Sequence, residues 1–282
     1  MQKLCEMKTG ASLCFFGRAD EDVFRSLRDA GINCFEFGFN YNFYTNIIDY
    51  PVNAEKYAEM AAKYGVEQWS FHLPFSRFLD VSQTRKESRA VSLYTNKTLI
   101  RAAGKAGVKV AVLHPSSEPI EDEERPERMR LSKESIEILA EECDKAGLRL
   151  AVENLPRTCL CRTSDEMIEL LTGTGAGMVF DTNHSLSEDN VHYAEAVTGA
   201  GIEILSMHIS DYFRDENGVL DERHVLPGEG INDWNALLGA VLRSGYKGPL
   251  MYEVSGKPKC RETCYTLEEL AENMRNLKAG RI

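Results

Sequence analysis

The sequence predicts a single (β/α)8 barrel that spans residues 1–282. Apolar, strand-like runs alternate with helix-like segments along the whole chain, which is typical of parallel strands covered by helices. There are eight such units, and 282 residues is a common length for one closed barrel. An open, doubly wound sheet is the alternative. It is less favoured because Gly17-Arg18-Ala19, after the first strand, does not fit the glycine-rich phosphate-binding pattern.

The first unit combines a strand in residues 12–16 with a helix in residues 20–31, which has acidic residues in its first turn and Gly31 at its end. The later strands are predicted in 33–39, 67–75, 108–115, 148–154, 178–184, 203–211 and 248–256. The later helices are predicted in 53–64, 84–106, 127–146, 164–173, 189–201, 231–245 and 266–280, with Ser164 as the N-cap of the 164–173 helix. The acidic run 118–128 is predicted to be a solvated loop or lid, because its prolines and dense charge suit a core poorly.

The composition of the chain limits the kinds of molecule that we expect it to bind. The net charge of −11, from 33 basic and 44 acidic side chains, disfavours binding to a polyanion, so no nucleic-acid partner is expected. No apolar run approaches the roughly 20 residues of a membrane span, and the first residues lack the apolar stretch of a signal peptide. We therefore expect a cytoplasmic protein without a membrane partner. The eight cysteines show no CxxC spacing and are predicted to be reduced thiols.

Four side chains that commonly bind metals each lie at the end of a different strand-like run. Glu153 lies near the end of LRLAVEN, Asp181 lies in GMVFDTNH, His208 in EILSMHISD and Glu253 in PLMYEVSG. The carboxyl ends of the strands are where barrel active sites lie. An unpaired carboxylate buried there would cost several kcal/mol, and a bound cation removes that cost. Three carboxylates and one imidazole suit Mn²⁺, Mg²⁺ or Co²⁺, and also tolerate Zn²⁺.

Other polar side chains follow strand ends at the same level of the predicted barrel, and five of the six histidines lie at or beyond a strand end. We predict that these residues contact the substrate: Glu36, His72, His114, His184, Arg214 and His224. Aromatic residues after the second strand either wall a sugar pocket or pack at the rim: Phe39, Tyr41, Phe43 and Tyr44.

The segments AVEN, FDTNH, HISDYFR, HVLPGEG and YEVSG occur in this order and resemble the xylose isomerase-like barrel superfamily, especially its tagatose 3-epimerase type. The resemblance covers nearly the whole chain. It implies that Glu153, Asp181, His208 and Glu253 bind the metal, and that the two glutamates are the acid/base pair. It also implies that His184 and Arg214 hold substrate oxygens.

The chain departs from the epimerase pattern after the fifth strand. The epimerases have a further glutamate in this region, where this sequence reads NLPRTCLC. The resemblance therefore leaves the substrate and the reaction open.

The predicted function is a divalent-metal-dependent isomerase or epimerase acting on a small sugar or polyol by proton abstraction beside a carbonyl, through an enediolate. A dehydratase of the same superfamily, of the inosose or dehydroshikimate type, is one alternative. An endonuclease IV-like phosphodiesterase is a second, supported by the many histidines and opposed by the net charge. A non-catalytic sugar-binding protein is a third. The oligomeric state, including a homo-oligomer, stays open.

Overall fold

The computed structural model of the chain describes residues 4–38 and 44–282. Its strands are β1 (Thr9–Ser12), β2 (Cys34–Phe37), β3 (Glu67–His72), β4 (Val110–Leu113), β5 (Arg149–Glu153), β6 (Gly177–Asp181), β7 (Ile204–His208), β8 (Asp211–Arg214), β9 (Leu220–Val225) and β10 (Leu250–Tyr252). Eight of them form one parallel sheet in the order β10-β1-β2-β3-β4-β5-β6-β7.

The sheet closes between β7 and β10. The backbone N–H of Ile209 donates to the carbonyl of Met251 at 2.7 Å, and the N–H of Glu253 donates to the carbonyl of Ile209 at 3.1 Å. These bonds and the bridge between Ile209 and Tyr252 complete the ring. The predicted (β/α)8 barrel is therefore confirmed.

Helices cover the outside of the ring. Within the described ranges they are α1 (Glu21–Asp29), α2 (Tyr50–Lys63), α3 (Lys86–Lys105), α4 (Arg125–Ala146), α5 (Ser164–Leu171), α6 (Asn190–Gly199), α7 (Trp234–Arg243) and α8 (Leu267–Lys278). A π-helical turn (Tyr44–Asp49) leads into α2. In the parts of the chain that the structure describes, no helix combines the length and apolar character needed to cross a bilayer.

The first strand lies earlier than predicted. Residues 13–15 form a 3-10 turn, and β1 is the small-residue run TGAS. A Cβ on Gly10 would come within 2.7 Å of the Met251 side chain, so this position of the strand requires glycine. A strand of small residues carries little apolar signal, which is why the sequence pattern missed it.

The structure corrects two local predictions, one at a helix cap and one in a loop. Thr163, and not Ser164, is the N-cap of α5, because its side chain accepts from the N–H of Glu166. The acidic run 118–128 is a loop only in its first part, since α4 already begins at Arg125.

The sequence did not predict the antiparallel hairpin of β8 and β9, which follows β7 outside the barrel sheet. Asp211, fully buried at the start of the hairpin, fixes the loop that follows. Its carboxylate accepts hydrogen bonds from the backbone N–H groups of Gly228 and Gly230 at 3.0 and 3.2 Å and from Trp234 Nε1 at 2.9 Å. This residue therefore anchors the segment PGEG against the barrel rim.

Candidate metal centre and active-site pocket

The strand periodicity points the candidate ligands into the barrel. Ala151 and Val179 belong to a small apolar cluster on the inner face of the ring. Glu153 and Asp181 each lie two residues further along the same strands, so their side chains share that inner face at its carboxyl end. Asp181 is also the direct register partner of His208 on the neighbouring strand.

The four predicted ligands meet at one point. One ligand atom from each of Glu153, Asp181, His208 and Glu253 lies within 4.8 Å of the others, and all four residues are buried. His208 Nδ1 is 3.0 Å from Glu253 Oε2, 3.2 Å from Glu153 Oε1 and 3.7 Å from Asp181 Oδ2. The strand ends therefore bring three carboxylates to one imidazole nitrogen.

Glu36 determines which nitrogen of His208 faces this centre. Its Oε2 is 3.2 Å from His208 Nε2 and accepts a hydrogen bond of 2.8 Å from the Ser70 hydroxyl. With the Nε2–H donating to Glu36, the Nδ1 lone pair of a neutral ring points at the three carboxylates. Glu36 is fully buried behind His208 and does not line the pocket, so the structure does not support its predicted contact with substrate.

The residues fit a divalent cation. Asp181 Oδ2 is buried and has no hydrogen-bond partner among the described residues. A lone pair and three buried carboxylates around one point repel each other unless a positive charge lies between them. Three oxygen donors and one nitrogen donor match the preferences of Mn²⁺, Mg²⁺ and Co²⁺ and are tolerated by Zn²⁺. The carboxylate–histidine pair of Glu36 and His208 is the usual second layer of such a site.

The electrostatics of three of the four residues agree with this reading, whereas burial raises the pKa of the fourth, Asp181, in the metal-free chain. Burial disfavours the charged form of His208, but the carboxylates of Glu253 and Glu36 outweigh it and raise the pKa of the imidazole well above its usual value. Burial likewise opposes ionisation of Glu153 and Glu253, yet His208 keeps the pKa of both carboxyls well below their usual range. A cation that binds here therefore replaces the proton held on Nδ1 of the imidazole.

The second oxygen of Glu153 faces a different pair of side chains. Its Oε2 is 3.2 Å from His72 Nε2 and 3.2 Å from His114 Nε2. The His114 ring stacks on Phe75 with a centroid separation of 3.7 Å and an interplanar angle of 18°. Glu153 thus connects the four-ligand centre to two histidines that line the pocket.

Two further predicted residues lie beside the centre. His184 Nδ1 is 3.3 Å from both Glu153 Oε1 and Asp181 Oδ2, and its Nε2 points towards Glu222 at 4.0 Å. Burial lowers the pKa of His184, but Asp181 and Glu153 raise it to about 10 overall. His224, at the end of the hairpin, has Nδ1 3.2 Å from the carbonyl of Glu253.

A pocket of about 340 Å³ opens above these groups. Of the predicted site residues, six line it: His72, His114, Glu153, His184, His224 and Glu253. Sequence reasoning did not assign several charged lining residues to the site: Arg77, Glu118, Arg157 and Glu222. Their signal was weak, because the first three lie in loops after the third, fourth and fifth strands and Glu222 lies in the unpredicted hairpin.

Arg157 links three rim segments. Its guanidinium contacts Glu118 at 2.6 Å and Glu222 at 2.6 Å, and its backbone has a φ of 57°. Arg214, in contrast, is exposed at the outer end of the hairpin, where its Nη1 donates to the carbonyl of Gly218 at 2.7 Å. The structure therefore does not bring Arg214 into the pocket where substrate contact was predicted. The aromatic run after the second strand gives no test of its role, because residues 39–43 lie outside the described part of the chain.

Solved structures of similar fold include sugar epimerases. A D-tagatose 3-epimerase-like protein superposes with a TM-score of 0.80 at 19% identity, over 97% of both chains. A 3-keto-D-glucoside 4-epimerase from E. coli gives a TM-score of 0.75 at 17% identity, over 97% of this chain and 100% of its own. A D-psicose 3-epimerase gives a TM-score of 0.75 at 17% identity, over 97% of this chain and 98% of its own. At these identities the likeness shows the fold.

A search of curated proteins found no match. Residues 24–279, in contrast, match the family described as xylose isomerase-like TIM barrel. The match covers most of the chain and includes every predicted ligand. The chain therefore belongs to the xylose isomerase-like TIM barrel family.

Proposed function

We propose that this protein is a divalent-metal-dependent sugar isomerase or epimerase. The observation that carries the proposal is the pair of buried carboxylates, Glu153 and Glu253, which lie 3.2 and 3.0 Å from His208 Nδ1 and line the pocket. A volume of about 340 Å³ suits a small polar molecule such as a monosaccharide. The names of the similar structures, which include two sugar epimerases and a D-tagatose 3-epimerase-like protein, support the same class.

The proposed metal ligands are Glu153, Asp181, His208 and Glu253. A divalent cation held there supplies a Lewis acid that stabilises negative charge on a carbonyl oxygen and its neighbouring hydroxyl. The native ion is proposed to be Mn²⁺, Mg²⁺ or Co²⁺, because the donor set is rich in oxygen.

The two glutamates move the proton. Both are held in the ionised form, which is the form that a general base requires. One carboxylate removes the proton beside the carbonyl and keeps it, which gives an enediolate. The other carboxylate first takes up a proton from water and then delivers that proton to the enediolate. Return to the same carbon from the opposite face inverts that centre, whereas return to the neighbouring carbon interconverts an aldose and a ketose.

The substrate oxygens are proposed to be held by the histidines at the pocket wall. His184 Nε2 and the ring of His224 face the space above the carboxylates, where they can donate to hydroxyl groups. A hydrogen bond to a substrate hydroxyl fixes its position relative to the base, which proton transfer requires.

The direct test is proton NMR in D₂O with a panel of ketoses, ketose phosphates and inososes. We expect deuterium beside the carbonyl, with a new sugar of equal composition, in Mn²⁺-loaded protein and not after EDTA treatment. Glu153→Gln and Glu253→Gln should each lose the exchange. Glu229→Gln is the matched control, because that carboxylate contacts Tyr265 and Arg261 outside the pocket. Undiminished exchange in both pocket variants would refute the assignment, and loss of water from the substrate would replace it with a dehydratase.

A further inference from the structure

We infer that Glu222, on strand β9 of the hairpin, is a substrate-binding residue that accepts a hydrogen bond from a hydroxyl group of the sugar. His184 lies on the other side of that hydroxyl. The inference rests on the proposed function and adds to it, because that proposal gives Glu222 no role. It also narrows the substrate class, since the sugar then carries a hydroxyl group, and not a phosphate or a carboxylate, at this wall of the pocket.

The alternation of side chains along β9 points Glu222 at the pocket. Glu222 and His224 lie two residues apart, so they share one face of the strand, and both line the pocket. Asp221 and Arg223 form an ion pair with each other, and neither lines this pocket. The hairpin therefore adds one carboxylate to the pocket wall.

One oxygen of the Glu222 carboxylate is paired and the other is not. Oε1 is 2.6 Å from Arg157 Nη1, and this ion pair holds the side chain in place. Oε2 is buried and has no hydrogen-bond partner among the described residues. A buried acceptor without a partner costs free energy, and this cost disappears when a donor reaches it. A ligand that brings a hydrogen to Oε2 therefore gains affinity at this point.

The distance to His184 indicates what fits beside Oε2. Oε2 is 4.0 Å from His184 Nε2, which is too far for a direct hydrogen bond but close enough for one oxygen atom to contact both. A hydroxyl oxygen about 2.8 Å from each atom fits this separation. The hydroxyl can donate to Oε2 and accept from the Nε2–H of His184. His184 Nδ1 is 3.0 Å from the carbonyl of Asn154, which holds the ring in this orientation.

The charge of Glu222 determines which groups this wall rejects. Burial opposes ionisation, but His184 and Arg157 outweigh it and keep the pKa of the carboxyl below its usual range. An ionised carboxylate only accepts hydrogen bonds, so a phosphate, carboxylate or carbonyl oxygen would place its lone pairs against Oε2. Arg157 does not offset this repulsion, because its guanidinium already contacts both Glu118 and Glu222. A sugar hydroxyl meets no such repulsion.

The test compares two carboxylates that contact the same guanidinium. In Glu222→Gln the amide oxygen can keep the bond to Arg157, but the amide nitrogen then replaces Oε2 and cannot accept. Glu118→Gln is the matched control, because both oxygens of Glu118 contact Arg157. The probes are the sugar of the NMR panel that the Mn²⁺-loaded wild type exchanges fastest, and the monodeoxy forms of that sugar, each of which lacks one hydroxyl.

The readout is kcat/KM. Loss of the hydroxyl that contacts Glu222 should lower kcat/KM about 10- to 100-fold in the wild type, the usual effect of a hydrogen bond to a charged group. Glu222→Gln should lower kcat/KM for the parent sugar by a similar factor and should show no further loss with that one deoxy form. Glu118→Gln should keep the full loss with the deoxy form. A residue that only positions Arg157 would not produce this dependence on a single hydroxyl.

Equal losses with every deoxy form in Glu222→Gln and in the wild type would overturn the inference, and so would the same pattern in Glu118→Gln. Both results would leave the proposed function intact, because the wild type would still exchange the parent sugar. Absence of metal-dependent exchange in the wild type would refute the proposed function and the inference with it. Should Glu222→Gln not fold, Glu222→Asp replaces it with the same expected pattern, because it keeps the charge and withdraws the oxygen by one methylene group.

Discussion

The substitution Glu36→Gln tests whether the residue behind His208 supports metal binding. Glu36 Oε2 lies 3.2 Å from His208 Nε2, and both residues are fully buried. Glutamine keeps the size of the side chain, and its amide oxygen can still accept from the imidazole. Only the negative charge that strengthens Nδ1 as a ligand is lost, so the variant separates electrostatics from packing.

The size of the effect follows from the geometry. A full unit charge on the imidazole, 3.2 Å from the carboxylate, would interact with it by roughly 5 kcal/mol at an effective dielectric constant of about 20. This energy is an upper bound on the metal-binding free energy that the substitution removes. The hydrogen bond that glutamine retains reduces the loss. Replacement of such partners weakens metal binding by about 10- to 100-fold, or about 1.4–2.8 kcal/mol.

The assay is Mn²⁺ affinity, measured by calorimetry or by competition with a chelator. Glu142→Gln is the matched control, because that carboxylate is also largely buried but pairs with Arg101 on the outside of the barrel. We expect the control to bind Mn²⁺ like the wild type. A Kd for Glu36→Gln within about twofold of the wild type, far below the usual range for such partners, would refute the role given to Glu36.

Three further predictions concern stability, pH and the rim. Mn²⁺ at about 100 times its Kd should raise the free energy of unfolding by about 2.7 kcal/mol, which is measured as a higher Tm. The variant Asp181→Asn should lose this Tm shift, and an equal shift in the variant would contradict the ligand assignment. In metal-free protein, burial lowers the pKa of His72, but Glu153 outweighs this effect and raises the pKa to about 9. The charged form of His72 therefore stabilises the fold fully below about pH 6.5, and this contribution disappears as the pH rises through about 9. Urea unfolding of EDTA-treated protein should therefore show falling stability over that interval, and a rise would reverse the assigned sign. Arg157→Lys should raise the KM for the accepted sugar more than it lowers kcat, because lysine cannot contact Glu118 and Glu222 with a planar fork; steady-state kinetics check this, and a change in kcat alone would argue against a rim role.

Much of the barrel follows from sequence pattern because its signals are local. A run such as LRLAVEN is apolar over the length of a strand, and the helix after it begins and ends with recognisable capping residues and glycines. Parallel strands place their carboxyl ends at one rim, so the sequence pattern alone groups Glu153, Asp181, His208 and Glu253. The β1 strand was misplaced because TGAS has almost no apolar contrast.

Only the tertiary structure decided how these side chains are arranged over a few ångströms. Glu36 and His72 looked equivalent in sequence, yet one lies behind His208 and the other faces the pocket. Arg214 was expected in the pocket, but the hairpin carries it outward, and Arg157 occupies the rim instead. Strand register, bulges and long-range pairing set these positions, and they depend on residues far apart in the chain. Sequence therefore determined which residues reach the rim, and the fold determined which atoms face each other there.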